Sequence, residues 1–124
     1  MKQIVMSTLA KTWIFDFDGT LVKHNGYKEG MDEWLPGAKE LLLSIPEDDY
    51  VMILTAREPE ARTQTENFLK EHGIRYNDIK FGMPMGERII FNDSKPSGLK
   101  MSYAVECERN KGVSELQIIV DEEL

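Results

Sequence analysis

The sequence predicts an α/β fold, an open and mainly parallel sheet flanked by helices, on three observations. Short apolar runs alternate with segments of helical spacing, their order is strand, helix, strand, helix, strand, and polar residues stand at the ends of the strands. Sheets of this kind bind ligands at the carboxyl ends of their strands. The strand-end residues are therefore the first place to look for a site.

The first predicted strand is Thr12 to Asp16, carrying Trp13, Ile14 and Phe15 and ending in an acidic turn. A polar, glycine-bearing stretch from Lys23 to Asp32 follows. Pro36 and Gly37 then lead into a helix whose inward face is Ala38, Leu41, Leu42 and Ile45, and Pro46 stops it. Tyr50 to Leu54 is an unbroken apolar run, short enough for a buried parallel strand and closed by Thr55. Pro59 opens a second helix that turns Ala61, Phe68 and Leu69 inward and stops at His72-Gly73. Ile74 to Tyr76 and Ile79 to Phe81 read as a short strand and its approach, and Arg88 to Phe91 as a further strand ending at Asn92-Asp93. Met101, Tyr103, Val105 and Cys107 alternate with polar residues, which favours a last, half-exposed strand.

The chain has 124 residues, 41% hydrophobic and 30% charged, the composition of an ordinary globular protein, and residues 1–124 read as one domain. No stretch approaches the roughly 20 apolar residues of a membrane span. The apolar patch Ile4, Val5 and Met6 is too short for a signal-peptide core, so the expected address is the cytoplasm. Cys107 is the single cysteine, which excludes an internal disulfide and leaves it reading as a small apolar residue. With 22 acidic and 15 basic residues the net charge is -7, which argues against nonspecific nucleic-acid binding.

The polar strand ends carry the chemistry. Asp16 and Asp18 are two residues apart, so their side chains can leave on one side and share a hard cation, with Asp93 as a third oxygen ligand. A carboxylate aimed at phosphorus can attack in line and form an aspartyl phosphate, the role assigned to Asp16. Asp18 is assigned the proton transfers to the leaving oxygen and from the hydrolytic water. Gly19 permits the tight turn, Thr20 orients the loop, and Thr55 with the amides of Ala56 and Arg57 offers donors to phosphate. A lysine would also help the transferring group.

The run Ile14-Phe15-Asp16-Phe17-Asp18-Gly19-Thr20-Leu21-Val22 closely resembles the first motif of the haloacid dehalogenase superfamily, an aspartate nucleophile followed two residues later by an acid-base aspartate. Val51 to Arg57 resembles its second motif, an apolar strand ending in a phosphate-binding threonine, and Ile89 to Asp93 its fourth, ending in a metal-binding acid. The resemblance spans residues 12 to 95. It implies a Rossmann-like three-layer α/β/α fold, magnesium (Mg2+) as cofactor and phosphatase activity on a small phosphorylated metabolite. About 30 residues separate the first two motifs and already hold a helix, which leaves no room for a large cap domain. The chain departs from the family's pattern at Asn92, where a second acid is usual, and at Met83-Pro84, where a lysine precedes the proline. Lys95, directly after the fourth motif, is preferred over Lys80 as the replacement.

Competing readings meet specific obstacles. An EF-hand beginning at Asp16 would need a glycine at Leu21 and an acid at Tyr27. A receiver domain would carry a contiguous acidic pair after its first strand, whereas Phe17 separates these two. A polynucleotide-end phosphatase and a relative that binds a phosphorylated ligand without turnover stay open. Arg57, His24 and the tail Asp121 to Glu123 read as solvated, His72 as a helix-end residue, and Trp13 and Trp34 as packing residues. Residues 23–34 are the expected specificity loop, and an open site makes a homo-oligomer plausible.

Overall fold

A computed structural model describes residues 2–124. In chain order it contains β1 (Lys2–Met6), β2 (Thr12–Asp16), α1 (Ala38–Ser44), β3 (Tyr50–Leu54), α2 (Arg62–Glu71), β4 (Asp78–Lys80) and β5 (Leu116–Val120). Single turns of 3-10 helix at Gly26–Glu29 and Pro59–Ala61 precede the two α-helices. The strands form two open sheets, β2-β3-β4 and β1-β5, and every pairing is parallel. The protein is thus a small α/β protein of parallel strands, as the alternating pattern predicted.

Register explains where the core sits. Trp13 aligns with Val51, and Phe15 with Ile53 and through it Ile79, so these residues share one face of the three-stranded sheet. Ala38 and Leu42 of α1 and Leu69 of α2 join that cluster. The other face is less covered: Ile14 is 50% exposed, and Met52 and Leu54 are half-buried. The apolar runs of β2 and β3 are therefore buried on alternate residues, not on both faces.

Both helices start and stop where the sequence places them. Gly37, at φ 80°, supplies the turn into α1, and Pro46 follows its end. Pro59 opens the 3-10 turn that continues into α2, and Gly73, at φ 69°, ends it with its N–H on the Lys70 carbonyl at 3.0 Å.

Two expected strands do not form. Arg88 to Phe91 pairs with no strand, and Phe91 is 94% exposed. A β-branched run becomes a strand only where a neighbouring edge accepts its backbone. Here β4 passes through Gly82, Pro84 and Gly86 into an exposed segment. Residues 101–107 are likewise not a strand. They run beside β1, where the Tyr103 hydroxyl donates to the Val5 carbonyl at 2.9 Å and Lys2 Nζ to the Glu106 carbonyl at 3.0 Å. Among the described residues no helix is long and apolar enough to cross a membrane.

Candidate active site

The loop after β2 is built by burying three apolar residues and leaving the polar ones free. Phe17, Leu21 and Val22 are fully buried, and the Phe17 carbonyl accepts from the amides of Leu21 and Val22 at 2.9 and 3.2 Å. The Gly19 N–H closes the turn on the Val22 carbonyl at 2.7 Å, and its φ of 83° is one that residues with a Cβ rarely adopt. Asp16, Asp18 and Thr20 stay partly accessible. The Thr20 hydroxyl donates to Asp16 Oδ2 at 3.0 Å, which fixes one oxygen of that carboxylate.

The other oxygen of Asp16 accepts from Arg88 Nη1 at 3.0 Å, an ion pair whose side chains are 35% and 39% exposed. The segment carrying Arg88 thus returns to the end of β2. The Cys107 thiol is pushed up by burial, with the Asp16 charge adding to the rise and Lys2 opposing it.

Asp18 is engaged inward. Thr55, at the end of β3 and fully buried, donates its hydroxyl to Asp18 Oδ2 at 2.8 Å and accepts the Arg57 N–H at 3.0 Å. Arg57 is 2% exposed and lays its guanidinium between two acids. Its Nε and Nη2 donate to Asp18 Oδ1 at 3.0 and 2.9 Å, Nη2 and Nη1 to Asp32 at 2.6 and 3.1 Å, and Nη1 to the Thr65 hydroxyl at 2.8 Å. The rings of Tyr27 and Phe17 lie 4.0 and 4.8 Å away. Burial alone would lower the Arg57 pKa, but hydrogen bonds and charge from Asp32 and Asp18 outweigh it and the pKa is raised. The solvated reading of Arg57 is therefore corrected. It is the buried hub that joins the 23–34 loop to both strand ends.

A late segment closes the side of the loop. The Asn110 N–H donates to the Gly19 carbonyl at 2.8 Å, while its side-chain oxygen accepts the His24 N–H at 2.8 Å. Arg109 lies over Gly19, its Cγ 3.4 Å from where a Cβ would stand. Val113 donates to the Pro36 carbonyl at 2.8 Å. Beside this seam is a cleft of about 520 Å³, lined by Lys23, Glu33, Trp34 and Asn110 but by neither aspartate. It adjoins the aspartate loop rather than containing it.

The structure brings Asp16, Asp18 and Thr55 together, with Ala56 exposed beside them. It does not bring in Asp93 or Lys95, which line a separate recess of about 340 Å³ with Asn92 and Lys100. Among the described residues no group of three or more His, Cys, Asp or Glu side chains could hold a metal ion. Both Asp18 oxygens are committed to Thr55 and Arg57, so Asp16, Asp18 and Asp93 do not fit a shared magnesium site as they stand. The reason is local: the 88–93 segment that should deliver Asp93 is not part of the sheet. The Arg57 amide expected to face phosphate is likewise spent on Thr55. Lys80 pairs with Asp78 at 3.1 Å.

Sequence reasoning missed Arg88, Asp32 and Asn110. Asp32 carried a usable signal, an acid at the end of the loop between the two motifs. Arg88 and Asn110 carried none, because their contacts bridge 72 and 86 residues. Comparison with protein-family models, curated proteins and solved structures finds no match for this chain.

Proposed function

We propose that this chain is a phosphomonoester hydrolase of the haloacid dehalogenase type, acting on a small phosphorylated metabolite through an aspartyl phosphate on Asp16. The observation that supports it best is the meeting of Asp16, Asp18 and Thr55 at the carboxyl ends of adjacent parallel strands β2 and β3. A Rossmann-like three-layer arrangement, a cytoplasmic address and self-association belong to the same proposal.

In the proposed reaction Asp18 leaves Arg57 and takes a proton from solvent; an Asp16 oxygen attacks phosphorus while the bond from phosphorus to the leaving oxygen breaks, and Asp18 gives that oxygen its proton. Water then attacks the aspartyl phosphate, Asp18 takes its proton, and the bond between phosphorus and Asp16 breaks to release inorganic phosphate. Thr20 holds Asp16 in line by its 3.0 Å bond. Asp18 has to swing away from Arg57 to reach the leaving oxygen. Asp32 keeps Arg57 in place meanwhile, through contacts at 2.6 and 3.1 Å. Magnesium stays in the proposal on the sequence resemblance alone, and no step above depends on it.

A second reading is a protein that binds a phosphorylated ligand without turning it over. The commitment of Asp18 to Arg57 and Thr55 favours it. The two separate in paired measurements on wild type and Asp16→Asn, phosphate binding by titration calorimetry and hydrolysis of an aryl phosphate and a phosphometabolite panel with magnesium or EDTA. The hydrolase reading expects phosphate release that Asp16→Asn abolishes, and the magnesium and EDTA arms show whether a divalent cation takes part. Tight phosphate binding with no release from any compound would replace it with the second.

A further inference from the structure

Phosphoryl transfer to a carboxylate brings two anions together, so some cation has to offset their repulsion. The lysines proposed from sequence are placed elsewhere, Lys80 on Asp78 and Lys95 in the 92–102 recess. Arg57 is buried and saturated by Asp18, Asp32 and Thr65. Arg109 lies over Gly19, but among the described residues the cation that pairs with Asp16 is Arg88, at 3.0 Å.

We infer that Arg88 is the phosphate-binding residue of this site, taking the transferring phosphoryl group beside Asp16. This rests on the phosphomonoesterase reading and names its anion-binding group. Three features carry it. Among the described residues the Arg88 guanidinium makes one protein hydrogen bond, Nη1 to Asp16 Oδ1 at 3.0 Å, so the rest of its planar fork is open to phosphate oxygens. Its side chain is 35% exposed, which lets a solute reach it. An exposed ion pair of this kind is weak, so a doubly charged phosphate can displace the carboxylate.

Arg88 also sits on a segment that is neither helix nor strand between β4 and β5. Its guanidinium supplies at Asp16 positive charge that the sequence reading sought from a divalent cation and a lysine.

The test uses the full chain and inorganic phosphate as probe. Phosphate affinity is measured by titration calorimetry, and aryl phosphate hydrolysis is measured in parallel, for wild type, Arg88→Ala, Arg88→Lys and Lys80→Ala, with folding checked by circular dichroism. Arg88→Ala is expected to lower kcat/KM by about 10²-fold and to weaken phosphate binding by about tenfold or more. Arg88→Lys should fall between, added guanidinium should partly rescue Arg88→Ala, and Lys80→Ala should stay near wild type. Wild-type turnover that survives Arg88→Ala unchanged would overturn the Arg88 assignment and leave the hydrolase standing. Arg88-dependent phosphate binding without turnover would keep the assignment and remove the hydrolase, and neither binding nor turnover in wild type would overturn both.

Discussion

Replacing Arg57 with Met should be among the most damaging single changes in this protein. The guanidinium is 1% exposed, as is Asp32, while Asp18 keeps 16%. Removing the cation strands Asp32 as a buried, unpaired carboxylate, and breaking such a pair costs about 3–5 kcal/mol. Asp18 recovers part of its loss by hydration, and the methionine stem preserves much of the packing on Tyr27 and Phe17. A cost of this size corresponds to a fall in Tm of about 10–20 °C for a domain of this length. Urea unfolding followed by circular dichroism gives the number directly. The double variant with Asp32→Asn removes the stranded charge, so it should cost less than the sum of the singles by about 2–3 kcal/mol. A loss within about 0.5 kcal/mol, the usual range for a surface substitution, would refute the buried-hub reasoning. So would strict additivity with Asp32→Asn.

Thr55→Val removes the hydroxyl that links Asp18 to the Arg57 amide, so stability should fall by about 1–3 kcal/mol in the same assay. Gly112 sits at φ 78° with its Cβ direction against the Pro36 backbone, so Gly112→Ala should cost at least about 1–3 kcal/mol and loosen the 109–114 segment from the aspartate loop, read as faster exchange of the Asn110 amide. Because burial raises the Cys107 pKa by more than nearby Lys2 lowers it, its alkylation by iodoacetamide should climb only at pH above that of a free cysteine. A wild-type midpoint at or below the free-thiol value would contradict the burial of that thiol.

What could be read from sequence was local. The bounds of β2 and β3, the Gly37 and Gly73 turns and the grouping of Asp16, Asp18 and Thr55 follow from apolar runs, stop residues and a short loop. The β1-β5 ladder escaped because its partners, such as Lys2 and Leu116, lie at opposite ends of the chain and are mostly half-exposed, which blurs any alternation. Arg57 was misjudged because an arginine's burial depends on where distant acids lie, and Asp32 is 25 residues away. Ile89 to Phe91 shows the opposite failure, a strong strand signal that no edge takes up.

The central claim is that Asp16 becomes covalently phosphorylated. The most direct test is to acid-quench the protein during turnover of an aryl phosphate and map the phosphoryl group by peptide mass spectrometry. The prediction is a phosphorylated peptide bearing Asp16, absent from Asp16→Asn together with phosphate release. Turnover that persists in Asp16→Asn, or a phosphoryl group on another residue, would contradict it.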